Sequence, residues 1–273
     1  MDAIQQMYAR WAAGDMGADD QWGDVTAEPR GVDYLEVSAG GVPAMWLRPH
    51  DAAEGRVIVA WHGGGFVGGS LYTHRKMYGH LAKAAGVPVL LATYRRTPSS
   101  RFPAQIEDAI TAYRWAAARA HTVALAGDSC GGGLAVQVAL RSTGVKALLL
   151  LSPWIDMDPA QPSPWYEKNA ATDLFFTRPM VQALIAQYLP GDMSGLEPEV
   201  NAFAADLTGL PATYVQCGTG ETGRGDSERL APYARLDVAD GQLHTFQMAA
   251  GRTAAADDAI GRLAAWVRPR LGL

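Results

Sequence analysis

Cysteine is scarce in this chain, and the two residues present, Cys130 and Cys217, stand far apart. Two cysteines cannot build the disulfide framework of a small secreted domain. Neither belongs to a C-x-x-C pair of the kind that holds zinc or forms a redox centre. We therefore predict no metal site and no redox motif.

Long apolar runs are also missing. The longest uncharged apolar stretch, residues 147–155, is far shorter than the roughly 18–20 residues that a membrane-spanning helix requires. The first residues include Asp2, Gln5 and Gln6, where a secretory signal would have a basic start and an apolar run. We therefore expect no membrane span and a cytoplasmic location.

Charge of one sign is not concentrated anywhere in the chain. The sequence has 23 Lys and Arg against 28 Asp and Glu, a net charge of −5, and neither sign forms an extended block. This distribution argues against nucleic acid and acidic membrane surfaces as partners. A small-molecule substrate is the expected partner, and a homodimer stays open.

Apolar residues, by contrast, are abundant. Of the 273 residues 48% are hydrophobic and 19% charged, enough to bury a large core. Short runs of Val, Leu and Ala alternate with stretches of helical period, as when buried parallel strands alternate with covering helices. We predict one α/β domain, a mostly parallel sheet with helices on both faces. The predicted strands span residues 57–61, 87–94, 123–127, 146–152, 212–217 and 235–238, and the predicted helices lie near 73–85, 104–120, 130–142, 178–188, 227–234 and 253–268.

Two segments, about residues 1–25 and 157–206, break this alternation and are interpreted as insertions. The second is rich in aromatic side chains, which would either pack into the core or cover a site. They are Trp165, Tyr166, Phe175, Phe176 and Tyr188.

The strongest motif is G-D-S-C-G-G at residues 127–132, which follows a predicted strand and precedes a predicted helix. It fits the G-x-S-x-G nucleophile elbow, in which a sharp strand-to-helix turn exposes a serine hydroxyl and glycines avoid collisions. An ordinary glycine-rich turn could have the same short sequence, but the predicted strand before it and the predicted helix after it favour an elbow. We predict that Ser129 is a nucleophile.

A second motif, H-G-G-G-F at residues 62–66, follows the predicted strand 57–61. This loop type forms the oxyanion hole of lipases and esterases, because consecutive glycines can turn their N–H groups toward a substrate carbonyl. A phosphate-binding loop would instead need a lysine and a Ser or Thr at the start of a helix. We predict that the backbone N–H groups of Gly64, Gly65 and Cys130 form an oxyanion hole.

These two motifs, with T-Y-R-R-T-P-S-S-R-F-P-A-Q-I-E-D-A at residues 93–109 and L-S-P-W at 151–154, resemble the hormone-sensitive-lipase-like esterases. The similarity extends from about residue 34 to residue 271 and is greatest to small bacterial esterases and lactone hydrolases. It implies an α/β-hydrolase fold and ester hydrolysis without a cofactor. It also implies a helical cap formed by about residues 1–25 and 157–206.

His244 is the only histidine that follows Ser129. In this fold the triad residues occur in the order Ser, then Asp or Glu, then His. We therefore predict that His244 is the general base. The other histidines precede the nucleophile and are assigned no role in proton transfer; they are His50, His62, His74, His80 and His121.

The acid that orients the base should follow the strand 212–217, where Glu221 and Asp226 both lie. The family pattern places Glu221 at the triad position, although many members carry Asp there, and the residues that follow it depart from the family. Glu221 is the predicted acid and Asp226 the alternative.

The glycines at 218, 220 and 223 also match a dinucleotide-binding G-x-G-x-x-G. Too little chain follows them for the two halves of such a domain. We interpret them as a flexible turn that carries the acid.

The sequence thus predicts a serine hydrolase that cleaves esters of short to medium acyl chain, or lactones, through an acyl-enzyme. Two alternatives stay open. One is a non-catalytic ligand-binding protein of the same fold, and the other is an amidase or deacetylase that uses the same residues.

Overall fold

A single mostly parallel sheet organises the chain, whose computed structural model describes residues 3–15 and 22–273. The strand order within this part is β1-β2-β4-β3-β5-β6-β7-β8. The pairs β1–β2 and β2–β4 are antiparallel. All the other neighbouring pairs, which include β3, are parallel. The strands are β1 Val32–Ala39, β2 Val42–Pro49, β3 Arg56–Trp61, β4 Val89–Ala92, β5 Thr122–Asp128, β6 Val145–Leu151, β7 Thr213–Gly218 and β8 Arg235–Ala239.

Helices connect the parallel strands and cover the sheet. Short 3₁₀ turns supplement them at Gly23–Val25, Ala202–Ala204, Leu207–Gly209, Ala231–Tyr233, Phe246–Ala249 and Arg268–Leu271. The α-helices of the described residues are α1 Ala3–Ala12, α2 Leu71–Ala85, α3 Ala104–Ala117, α4 Cys130–Leu140, α5 Trp165–Lys168, α6 Arg178–Tyr188, α7 Arg224–Leu230 and α8 Ala254–Val267.

The structure confirms the predicted fold class and all six predicted strands, but it adds β1 and β2. These two form a hairpin closed by Gly40 (φ 69°) and Gly41 (φ 101°), the positive angles that the tight two-residue hairpin turn requires. β1 lies at the sheet edge, and Leu35 in its centre is 53% exposed. The hairpin therefore lacks the continuous apolar run by which the inner strands were predicted.

Two predicted elements are displaced. The strand predicted at 87–94 is shortened to β4, because Tyr94 leaves the sheet and donates a hydrogen bond to the carbonyl oxygen of His62 (2.9 Å). The helix predicted at 227–234 begins earlier, at Arg224, and gives way to a 3₁₀ turn that contains Pro232. Proline cannot continue an α-helix, since it lacks the N–H group and its ring meets the preceding turn.

The inner strands are buried on both sides. Val57, Val59 and Trp61 of β3 belong to one apolar cluster, while Ile58 and Ala60 belong to another on the opposite face. Successive strand residues point to opposite faces, so a strand covered on both must be apolar throughout. The loops at the carboxyl ends of β3, β5, β7 and β8 consequently meet at one edge of a rigid sheet.

The two interpreted insertions differ in structure. Within 1–25 the chain forms α1 and the turn Gly23–Val25, while residues 1–2 and 16–21 lie outside the described residues. Within 157–206 it forms α5, α6 and the turn Ala202–Ala204. Across residues 3–15 and 22–273, no helix combines the length and the apolar character that crossing a membrane demands.

Candidate active site

Ser129 lies at the turn between β5 and α4. Its backbone has φ 51° and ψ −125°, a conformation that non-glycine residues rarely adopt and that strained functional turns retain. A Cβ at Gly127 would lie 2.2 Å from the carbonyl oxygen of Gly131, and one at Gly131 would lie 2.1 Å from that of Trp61. The glycines of the motif are thus required by backbone crowding, as an elbow demands.

The structure brings Ser129, His244 and Glu221 together in one hydrogen-bonded chain. His244 Nε2 lies 3.0 Å from Ser129 Oγ, and His244 Nδ1 lies 2.8 Å from Glu221 Oε2. All three residues are buried. A carboxylate can only accept, so Nδ1 carries the proton and Nε2 is left to accept one from the serine hydroxyl.

Glu221 is held by donors on its other carboxylate oxygen. Oε1 accepts hydrogen bonds from the Gly218 N–H (2.8 Å) and from the Ser152 hydroxyl (3.2 Å). The Ser152 oxygen in turn accepts from the N–H of Thr245, beside the histidine (3.0 Å). Ser152 thus links Glu221 to the loop of His244, a contact that sequence reasoning missed.

Glu221 also controls the charge of His244. Burial by itself would lower the pKa of this imidazole, but the hydrogen bond and the charge of Glu221 outweigh burial and raise the pKa above its usual value. The imidazole is thereby made a stronger base while its tautomer stays fixed.

Asp226, the alternative acid, is engaged elsewhere. Its Oδ2 accepts hydrogen bonds from the N–H groups of Ile155 (2.6 Å) and Asp156 (2.9 Å). Burial and the neighbouring Asp156 raise its pKa to about 7. The structure therefore brings Glu221, and not Asp226, to the imidazole.

The glycines near the acid serve close packing. A Cβ at Gly218 would lie 2.0 Å from the carbonyl oxygen of Gln242, and one at Gly220 would lie 3.0 Å from Thr172 Cγ2. None of the three predicted turn glycines, Gly223 included, has the positive φ that marks a glycine-specific turn. Close packing against the histidine loop therefore favours glycine at 218 and 220, while the flexibility of this turn stays a prediction.

The predicted oxyanion loop follows β3. Gly64 (φ 119°) and Gly65 (φ 61°) adopt conformations that favour glycine, and both line the same cavity as Ser129 and His244. Cys130 is the first residue of α4, where a backbone N–H has no acceptor within the helix. The three predicted donors thus come from the two loops that flank Ser129.

The thiol of Cys130 is no competing nucleophile. It is fully buried and lies 3.4 Å from the Tyr94 hydroxyl. Burial raises its pKa to about 11, so the thiol stays protonated near neutral pH.

A buried polar network lies beneath the elbow. Asp128 accepts a hydrogen bond from the Tyr78 hydroxyl (2.8 Å), and its other oxygen lies 3.2 Å from His74 Nε2. Burial would raise the pKa of this carboxyl, but His74 and Tyr78 lower it. Sequence reasoning missed the network, although His74 and Tyr78 stand four residues apart on α2 and so share a face.

His62 holds the predicted oxyanion loop in place. Its Nδ1 lies 2.7 Å from the carbonyl oxygen of Gly63, and its Nε2 lies 3.0 Å from Thr93 Oγ1. Burial and the nearby His74 lower its pKa to about 3. The neutral imidazole, bonded on both sides, thus ties the loop to Thr93 at the end of β4.

Both interpreted insertions reach the site. The cavity in front of Ser129 measures about 90 Å³. Tyr8 contacts the backbone of His244, since its hydroxyl donates to the carbonyl oxygen of that residue (2.7 Å). The side chains that enclose the cavity are Tyr8, Trp11 and Trp22 from the first segment and Phe175, Phe176, Met180 and Leu184 from the second.

Known proteins share this fold and about a third of the aligned residues. A family model described as the α/β hydrolase fold matches residues 58–251. An acetyl-hydrolase of Streptomyces hygroscopicus is 36% identical over 202 residues, which make up 71% of this chain and 66% of the relative. An esterase of Acinetobacter venetianus is 31% identical over 221 residues, 78% of this chain and 71% of the relative.

A solved structure extends the similarity over almost the whole chain. An esterase from the bacterial hormone-sensitive lipase family superposes with a TM-score of 0.87 at 33% identity. The superposition covers 96% of this chain and 92% of that one.

Proposed function

The chain belongs to the α/β-hydrolase family and is an ester hydrolase of its hormone-sensitive-lipase group, and from this premise we propose that Ser129, His244 and Glu221 form its catalytic triad. The observation that carries the proposal is the hydrogen-bonded chain from Glu221 through His244 to Ser129. Each member has the partner that its role requires.

In the first half of the reaction, Ser129 Oγ attacks the ester carbonyl carbon while His244 Nε2 takes the hydroxyl proton. The carbonyl oxygen becomes an oxyanion, which the N–H groups of Gly64, Gly65 and Cys130 stabilise. The bond to the alcohol oxygen then breaks, and the imidazolium returns the proton to the departing alcohol. An acyl-enzyme on Ser129 is left.

Water completes the cycle. His244 takes a proton from a water molecule, which attacks the acyl carbon, and the imidazolium then returns the proton to Ser129 Oγ as the acid leaves. Throughout, Glu221 keeps the imidazole in one orientation and stabilises its positive charge.

The size of the cavity favours small substrates. At about 90 Å³ it is well below the roughly 300–1,000 Å³ typical of pockets for drug-sized ligands. The relative from Streptomyces hygroscopicus bears the name of an acetyl-hydrolase, which agrees with a small acyl group. We infer esters with acyl chains of about two to eight carbons, or lactones of similar size.

The segments 1–25 and 157–206 act as the cap of this site in our proposal. Support comes from the ring of Trp11 and the side chain of Leu184, which enclose the cavity from opposite segments. Apolar walls of this kind exclude water and strengthen the electrostatic interactions at Ser129. The cytoplasmic location and the homodimer stay predictions.

A panel of substrates tests the proposal. We expect kcat/KM along a series of p-nitrophenyl esters to be highest between two and eight acyl carbons, and a maximum at sixteen carbons would contradict the substrate class. Lactones and anilides of the same acyl groups complete the panel. Faster cleavage of the anilides would favour the amidase alternative, whereas binding without turnover would favour a ligand-binding protein.

A further inference from the structure

A second and larger cleft lies beside the catalytic cavity. Its volume is about 540 Å³, against about 90 Å³ for the cavity at Ser129. Among the described residues, Phe176 is the one that lines both spaces. The walls of the cleft include the rings of Trp154, Trp165 and Phe203, with Arg229 and Asp226 among them.

Phe176 stands between the two spaces, and we call its side chain the partition. Its ring stacks on the imidazole of His244, with centroids 4.5 Å apart and an interplanar angle of 11°. Its N–H donates to Asp173 Oδ1 (3.0 Å), and its carbonyl oxygen accepts a hydrogen bond from the Thr222 hydroxyl. The side chain is 4% exposed. Both its backbone and its ring are therefore anchored next to the base.

The position of His244 determines which part of the ester lies next to Phe176. In the proposed function, on which this inference rests, His244 Nε2 must reach the alcohol oxygen to return the proton. The alcohol portion of the ester therefore lies beside the imidazole, whereas the acyl portion stays bonded to Ser129. Phe176 covers a face of that imidazole and so stands close to the departing alcohol.

We propose that Phe176 determines specificity for the alcohol portion, admitting esters of small alcohols and closing off the cleft behind it. Shortening this side chain joins the two spaces. Esters of bulky aromatic alcohols then become good substrates, because the joined cleft offers the aromatic walls of Trp154 and Trp165.

The experiment compares Phe176→Ala and Phe176→Leu with the wild type on two series of esters. The first series keeps the acetyl group and enlarges the alcohol from ethyl to phenyl to 1-naphthyl. The second keeps p-nitrophenol and lengthens the acyl chain. We expect kcat/KM for 1-naphthyl acetate relative to ethyl acetate to rise by about tenfold or more in Phe176→Ala, the scale that pocket contacts contribute to discrimination.

Phe203→Ala is the matched control. It removes a ring of the same size from the cleft, but it leaves the partition in place, since Phe203 does not line the catalytic cavity. We expect this variant to keep the wild-type ratio between the two acetates. An equal rise in Phe203→Ala would overturn the assignment of Phe176 as the partition.

Two further outcomes are decisive. An unchanged ratio in both Phe176 variants, or a gain confined to the acyl series, overturns the inference while leaving the proposed function intact. A wild-type protein that hydrolyses no ester, or a Ser129→Ala variant with wild-type rates, overturns the proposed function itself. Circular dichroism establishes that each variant is folded, and Phe176→Leu, which keeps much of the apolar volume, decides the direction if the alanine variant unfolds.

Discussion

The nucleophile elbow at residues 127–131 and the acid loop at residues 218–223 present their side chains to the same histidine, but different contacts hold them. In the elbow, neighbouring backbones approach so closely that a Cβ at Gly127 or Gly131 would lie within 2.2 Å of a carbonyl oxygen. The first approach lies within the motif, and the second comes from Trp61 at the end of β3.

The acid loop is held in addition by hydrogen bonds from the inserted segment 157–206. The Asn169 side-chain amide donates to the carbonyl oxygens of Thr219 (2.9 Å) and Glu221 (2.7 Å). Asp173 accepts from the Thr222 N–H (3.0 Å). The comparison teaches that close backbone approaches shape the elbow, whereas the acid loop combines one such approach, at Gly218, with hydrogen bonds from the inserted segment 157–206.

Removing the nucleophile should have the largest effect. Ser129→Ala eliminates the oxygen that we propose forms the acyl-enzyme, and loss of a catalytic serine in a comparable triad reduces kcat by about 10⁶. Steady-state hydrolysis of p-nitrophenyl acetate measures this loss, with circular dichroism as the control for folding. Retention of wild-type activity would remove Ser129 from the mechanism.

The next largest effect should separate the two acids. Glu221→Gln leaves the imidazole without its anionic partner, and a comparable change in a serine protease triad reduces kcat by about 10⁴. Asp226→Asn, its matched control, alters a carboxylate that bonds the backbone of Ile155 and Asp156, and kcat should fall much less. The reverse ranking of the two variants would assign the acid role to Asp226.

The steric basis of the elbow can be tested by stability. Gly131→Ala places a Cβ 2.1 Å from the Trp61 carbonyl oxygen. The shifts needed to accommodate it should lower the free energy of unfolding by at least about 1–3 kcal/mol. At Gly223 the nearest atoms would be 3.4 Å or more away, so Gly223→Ala should change the stability by less than about 1 kcal/mol. Urea unfolding of both variants gives the two values, and similar losses would show that backbone crowding at Gly131 does not constrain the elbow.

The smallest effect concerns the pH dependence. Only the neutral imidazole accepts the serine proton, so kcat/KM should rise with pH as His244 loses its proton. Glu221 raises the pKa of His244, so the residual activity of Glu221→Gln should rise at lower pH than that of the wild type. In Asp226→Asn, the activity should rise over the same pH range as in the wild type. If the activity of Glu221→Gln rises over the same pH range as that of the wild type, the carboxylate does not set the basicity of the imidazole.

Continuous apolar runs predicted the inner strands, because a strand buried on both faces must be apolar at every position. The edge hairpin β1–β2 escaped prediction, since one-sided burial leaves only a weak pattern, although Gly40 and Gly41 carried a turn signal. Ser129 and the glycines at 64 and 65 were identifiable as candidates for a similar reason, because a strained turn or a close approach restricts the residue types that fit within a few positions.

The sequence by itself determined the order of elements, the elbow motif, the glycine loop and the lone downstream histidine, because motif spacing and chain order are visible along the chain. It left Glu221 and Asp226 as alternatives, and only the tertiary structure separated them, by bringing one to His244 and the other to the amides of Ile155 and Asp156. Contacts such as Tyr8 to His244 join residues 236 positions apart. Such contacts leave no local pattern, because their geometry exists only after the sheet and its covering segments have packed together.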